Sequence, residues 1–250
     1  MLRKLIIGGL FILIILLGSS MSGFAQTDAD TKVMEKFKKA FPKVKTESIS
    51  KTDIPGMYEV NIPGKILYYF PEKNYLFAGS IWDSAGKNLT DERQSAIITE
   101  KVKNLSLEKA LQLGKGEQVI IEFTNPDCHY CRDASKFLSE QDKIVRYVFF
   151  VPLGTHQDTE KKIKYIFCRE DKEKAYKEAM NGDLDKMEFA VCNDEKVEAL
   201  INEHKRISLA IGINSTPQFW INRKHVQGAD IPLIGKLLGV ESKEQQEKKQ

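Results

Sequence analysis

The chain has 250 residues, 42% of them hydrophobic, which allows an ordinary folded core in one large domain or two smaller ones. Its 38 basic residues face 35 acidic ones. That near balance excludes the basic footprint of a nucleic-acid binder, so no nucleic-acid partner is expected.

The chain opens with Arg3 and Lys4, then an apolar run over residues 5–17. Gly18, Ser19 and Ser20 follow, then Gly23-Phe24-Ala25. This is the layout of a cleavable signal peptide over residues 1–25, with Gln26 as the first mature residue. The apolar run is shorter than the ~20 residues a spanning helix needs. The mature chain is therefore expected outside the cytoplasm, where disulfides form and persist.

Residues 26–90 read as a small α+β module. Val33, Met34, Phe37, Ala40 and Phe41 recur at helical spacing over residues 31–41, and Pro42 ends that helix. Four strand-like runs follow at 44–49, 57–62, 65–70 and 75–82. Pro55-Gly56, Pro63-Gly64 and Pro71-Glu72-Lys73-Asn74 separate them as turns. Residues 91–105 are polar with sparse apolar positions and read as a linker helix. Ser106 is placed to cap a short helix over 107–113 that Gly114 closes.

The second module spans residues 106–240. A buried strand is expected at 118–124, then Cys128-His129-Tyr130-Cys131, an amphipathic stretch at 134–138 and a strand at 145–153. A charged helical region covers 159–211, followed by a strand at 216–221, a returning strand at His225-Val226 and a closing helix at 231–238. Residues 241–250 are almost all charged or amide and are expected to be disordered. The order β–CxxC–α–β–helical insertion–β–β–α is that of a thioredoxin fold, so the whole chain is expected to be α+β.

Disulfide exchange needs one thiol that ionises near neutral pH and a second thiol close enough to resolve the mixed disulfide. A helix N-terminus stabilises the first through its free N–H groups and dipole. A two-residue spacing brings the second within one turn. Cys128 is thus the expected attacking thiol and Cys131 the resolving one. His129 between them is positioned to favour the thiolate as a cation. Glu122 lies on the same strand face as Ile120; buried beneath the helix, it could take the proton of Cys131. Thr216-Pro217 is the candidate cis-proline loop that lies against the cysteines and pairs with an extended substrate.

Zinc would want a second close ligand pair, yet Cys168 and Cys192 stand 24 positions apart; haem attachment wants His where Arg132 stands. No metal or cofactor is expected. Of the three pairings four cysteines allow, Cys128–Cys131 with Cys168–Cys192 is the natural one, the latter read as a structural disulfide around the insertion, with a second redox centre as the alternative.

The segment Phe123-Thr124-Asn125-Pro126-Asp127-Cys128-His129-Tyr130-Cys131, the Thr216-Pro217 pair and the second cysteine pair resemble the DsbC/DsbG-type periplasmic disulfide isomerases. Leu67-Tyr68-Tyr69-Phe70, Tyr75-Leu76-Phe77-Ala78-Gly79 and Asn88-Leu89-Thr90 are similar to that family's dimerisation domain. The resemblance implies a V-shaped homodimer that reshuffles wrong disulfides in unfolded or misoxidised exported proteins. It also implies a membrane-bound thiol reductase as electron donor. His129 departs from the family's usual spacer and, like Glu122, is similar to eukaryotic disulfide isomerases. Dedicated reduction or oxidation therefore stays open, as does a dimeric chaperone clamp with secondary redox activity.

Overall fold

The computed structural model describes residues 28–152 and 158–240. The expected signal peptide (1–25) and tail (241–250) lie outside the described residues. The N-terminal module consists of α1 (Asp28–Ala40) and a four-stranded sheet of β1 (Ser48–Lys51), β2 (Tyr58–Ile62), β3 (Lys65–Phe70) and β4 (Tyr75–Phe77), antiparallel in chain order. Phe37 of α1 is fully buried and meets Tyr69 of β3 edge-on at 5.0 Å, with Phe41 beside both. Side chains of this size stabilise by about 1.5–3 kcal/mol each when buried, enough to fasten one short helix to one sheet face. The fourth run is shorter than the 75–82 expected: pairing ends at Phe77, whose ring occupies the space beside Gly79.

The long helix α2 (Leu89–Lys103) starts two residues before the polar linker helix read from the sequence. Asn88 is its N-cap and accepts the Asp91 N–H at 3.1 Å, a capping signal that fixes the start. The helix bridges the two modules. Arg93 Nε donates to both Glu59 oxygens at 3.1 Å on one side. On the other, Ser95 meets His225 Nδ1 at 2.6 Å and Thr99 accepts from the Trp220 indole at 3.0 Å. His225 stacks on Trp220 at 4.4 Å and its Nε2 donates to Gln218 Oε1.

The second sheet has the order β5-β7-β6-β8-β9: β5 (Leu111–Gly114), β6 (Gln118–Thr124), β7 (Ile144–Phe150), β8 (Gln218–Ile221) and β9 (Lys224–Gln227). Only β6 and β7 pair in parallel. The short helix expected over 107–113 is not formed; its second half is strand β5. The physical reason is period: Leu111 and Leu113 face inward while Gln112 and Gly114 face out, an alternation of two rather than 3.6.

Helices cover both faces. Ile120 packs with Ala134 and Leu138 of α3 (His129–Ser139) and with Ile234 and Leu238 of α7 (Ile231–Leu238). Phe123, Phe149 and Trp220 on the opposite face pack with Ile98 and Val102 of α2 and with Ile207 and Ile211 of α6 (Glu195–Ile211). The insertion comprises α4 (Thr159–Cys168), α5 (Lys172–Asn181) and a 3-10 turn (Asp183–Asp185) before α6. The chain is therefore α+β, a small sheet module joined by a helix to a thioredoxin-fold domain with a helical insertion.

The modules touch directly. Gly64, in the Pro63-Gly64 turn with φ 70°, sits so close to Gly212 (φ 95°) that an added Cβ would lie 2.8 Å from the Gly212 carbonyl oxygen. The Gly64 carbonyl accepts from Asn214 at 2.8 Å and from Gln94. Gly212 closes α6 five residues before Pro217, so this contact braces the segment leading to the Thr216-Pro217 loop.

Candidate functional site

Strand β6 delivers the chain to Asn125, whose side chain accepts the Asp127 N–H at 2.8 Å and whose carbonyl accepts the Cys128 N–H at 3.1 Å. This tight turn makes Cys128 the N-cap residue of α3, with extended backbone (φ −89°, ψ 119°). Cys131 lies one turn inside and is fully buried. Thr216-Pro217 is cis, and its Thr216 carbonyl lies 3.5 Å from the Cys128 sulfur as acceptor. The structure thus brings Cys128, Cys131, Thr216 and Pro217 together.

The two sulfurs differ sharply. Cys128 is lowered to about 6, chiefly by the hydrogen bond from the Cys131 thiol. Burial opposes this, while the backbone N–H groups of Cys131 and Tyr130 and the Thr216 side chain assist. Cys131 is pushed strongly up, first by burial and then by the Cys128 sulfur it serves. One thiol therefore ionises near neutral pH and its neighbour keeps its proton, the division that exchange chemistry requires.

His129 and Tyr130 project outward, 81% exposed at the His129 side chain and 64% at Tyr130. His129 Nε2 reaches along the helix to Asp133 at 3.3 Å rather than forming a contact with sulfur, and its ring meets Tyr130 edge-on. The leading causes of the lowered Cys128 do not include it.

Glu122 is fully buried, as the strand alternation implies. It is not alone there. Arg146 Nε and an Arg146 terminal nitrogen donate to Glu122 Oε2 at 2.9 and 2.7 Å, and the Tyr176 hydroxyl donates to Oε1 at 3.2 Å. Register explains the meeting: Ile120 pairs with Arg146 and Glu122 with Val148, so Arg146 stands diagonal to Glu122 on one sheet face. Burial works against the Arg146 charge, and Glu122 with Tyr176 outweighs it; burial also pushes the Tyr176 phenol up.

Sequence reasoning missed Arg146 and Tyr176. An arginine inside the otherwise apolar run Ile144-Val145-Arg146-Tyr147-Val148 was the available signal, since a buried cation needs a buried anion. It also missed Thr124, whose buried hydroxyl approaches the Cys131 sulfur and has no other partner among the described residues. Cys168 and Cys192 form a disulfide with Cα atoms 5.6 Å apart, at the edge of the core that holds Phe167, Tyr176 and Val197. Among the described residues no cluster of metal-ligating side chains occurs.

Residues 104–229 match the thioredoxin-like domain, and residues 24–91 match the disulfide bond isomerase protein N-terminal domain. The chain belongs to the thioredoxin-like family of thiol–disulfide proteins, in the DsbC-type branch that carries this N-terminal domain.

It is 28% identical to the thiol:disulfide interchange protein DsbC of Escherichia coli strain K12 over 205 residues, 80% of this chain and 81% of that one. It is 26% identical to the protein of the same name from Pasteurella multocida over 208 residues, covering 82% and 86%. A linker-deletion variant of ScsC from Proteus mirabilis shares the fold at a TM-score of 0.50, with 14% identity over 60% of this chain and 84% of that one. The chain is accordingly a thiol–disulfide exchange enzyme of the isomerase type.

Proposed function

We propose that Cys128 is the attacking thiolate of a homodimeric periplasmic isomerase, with Cys131 as its resolving thiol. The observation that carries this reading is the pairing of a Cys128 lowered to about 6 at a helix N-terminus with a buried, protonated Cys131 one turn behind it. The Cys128 thiolate attacks one sulfur of a substrate disulfide, forming a mixed disulfide and releasing a substrate thiolate. That thiolate attacks another substrate disulfide, and a final attack on the mixed disulfide returns Cys128 as thiolate, with no net electron transfer.

When the cycle stalls, Cys131 loses its proton and attacks Cys128. Reduced substrate leaves, and a Cys128–Cys131 disulfide remains that a membrane-bound thiol reductase would reopen. The Thr124 hydroxyl is placed to donate to the Cys131 sulfur as it ionises. Glu122 is the nearby acceptor for its proton, and because Arg146 and Tyr176 occupy both carboxylate oxygens, one of these contacts must open first. The Thr216-Pro217 loop, lying against the Cys128 sulfur, is the pairing edge for an extended substrate.

The N-terminal domain match and the exposed rings of Tyr75 and Phe77 on the edge strand β4 favour pairing of two small domains. The layout of residues 1–25 favours export, and the substrates are then unfolded or misoxidised exported proteins, held between two domains in the manner of a chaperone.

The test is refolding of a scrambled-disulfide substrate in a mild glutathione buffer, beside a Cys128→Ser variant. Native activity recovered with the parent protein and not with the variant supports isomerisation through Cys128. Oxidation or reduction without reshuffling would replace it with one-way exchange.

A further inference from the structure

Four charged side chains surround the active-site turn and take no part in the exchange just described. Lys162 of α4 is almost wholly buried, an unusual place for a lysine. Its ammonium contacts Asp127 Oδ1 and, at 2.6 Å, Asp185 Oδ1. The Thr159 hydroxyl donates to the other Asp127 oxygen. Arg132, one residue past Cys131, donates to both Asp185 oxygens at 2.7 and 2.8 Å and through Nε to the Pro126 carbonyl at 2.7 Å. It stands 3.7 Å from Asp127. Two anions and two cations thus tie the Pro126-Asp127 turn and the first turn of α3 to the helical insertion.

Asp127 directly precedes the nucleophile. A bare carboxylate there repels a thiolate and disfavours it. Burying Lys162 is itself unfavourable unless its partners repay the lost hydration. Here Asp127 and Asp185 do so, holding Lys162 charged against burial. Arg132 in turn interacts with the charge on Cys128.

We propose that Lys162 is a positioning residue for exchange at Cys128: it neutralises Asp127 and, through Asp185, fixes Arg132, so that the thiolate forms beside a balanced cluster. The proposal rests on Cys128 being the exchanging thiol. The groups facing that sulfur are few. From α3 come Cys131 and the Tyr130 N–H, and from the cis-proline loop the uncharged Thr216; Arg132 acts on the sulfur through its charge, and Asp127 adjoins Cys128 in the chain. His129 and Asp133 pair with each other on the exposed side of α3. Lys162 and Asp185 act through Asp127 and Arg132. A purely mechanical role for Lys162, fastening α4 to the turn, would leave the titration of Cys128 in place.

The experiment follows thiolate absorbance and iodoacetamide reactivity against pH in the reduced full chain, with Cys128 alkylation identified by peptide mapping. Lys162→Met is expected to raise the Cys128 midpoint by about one pH unit, a roughly tenfold loss of thiolate below the midpoint. Asp127→Asn is expected to lower it, the double variant to return it to the native value, and Lys162→Arg to restore it. Circular dichroism and melting verify the fold of each variant; if Lys162→Met does not fold, Lys162→Gln is read in its place. Midpoints that stay at the native value in both single variants, or that move the same way in both, overturn the proposal. A native Cys128 that is not the alkylated thiol removes the reading beneath it, an outcome distinguishable from an unmoved midpoint.

Discussion

Two cysteine pairs occupy one domain of this chain, and their surroundings assign them opposite tasks. Cys128 and Cys131 are both reduced, three positions apart across the first turn of a helix, one half-exposed and one buried. Cys168 and Cys192 are bonded, 24 positions apart, and close the insertion around its own core. The first pair gains nothing as a staple, because its ends are already held within one helical turn. The second closes a long loop, and its cysteines are not set at a helix N-terminus. Placement relative to a helix end and to loop length, rather than cysteine chemistry itself, separates a working pair from a fastening one.

The largest expected effect breaks the comparison at its active side. Cys128→Ser should abolish recovery of a scrambled substrate, whereas the double variant Cys168→Ser/Cys192→Ser should retain exchange at Cys128 when assayed below its melting point. Loss of exchange in the second variant while its fold persists would merge the two pairs' roles.

Next in size is the buried ion pair under the site. Arg146→Leu leaves the Glu122 carboxylate buried without its cation, and stability should fall by about 3–5 kcal/mol in urea unfolding. A joint Arg146→Leu/Glu122→Leu change should recover much of that loss. Removing the Cys168–Cys192 bond should cost about 3 kcal/mol in the chain-entropy account of a loop of this length. Reducing agent should reproduce the effect in the parent protein, read as a lower unfolding midpoint.

A smaller effect is expected where the modules touch. Gly212→Ala meets the Gly64 backbone at 2.5 Å and takes a positive φ, so about 1–2 kcal/mol should be lost and the β2–β3 turn displaced. Hydrogen exchange at Gly64 and Asn214 would register it.

The mildest effect is on acidification. Burial holds His225 down at about 4, and burial also lowers His204, which accepts the Phe150 N–H at Nδ1. Both are lowered relative to the unfolded chain, so the unfolded state takes up protons first. Their contribution is present above about pH 6.5 and is lost as pH falls toward 4. His225→Phe should flatten that part of the stability profile.

Much of this was legible in the residues because it is local. The turn Asn125-Pro126-Asp127 between an apolar strand and an amphipathic stretch places Cys128 at a helix start. The alternation of β6 puts Glu122 inward. What was not legible depends on the fold. Arg146 meets Glu122 only through a particular strand register, and Asp127, Lys162 and Asp185 are brought together from 23 to 58 positions apart. Strand β5 was misread because Ser106 and Gly114 bracket the segment with residue types that also cap and close a helix. Its partner β7 then selects the extended form. The docking of Ser95 on His225, 130 positions away, has no local signature at all.

The contrast between the pairs is tested most directly by equilibrating the folded chain across a series of glutathione redox buffers. Free thiols are then alkylated at each point and all four cysteines mapped by mass spectrometry. The account predicts that Cys128 and Cys131 pass between dithiol and disulfide within the glutathione range while Cys168–Cys192 stays closed throughout. Opening of Cys168–Cys192 under the same or milder reducing conditions would contradict it.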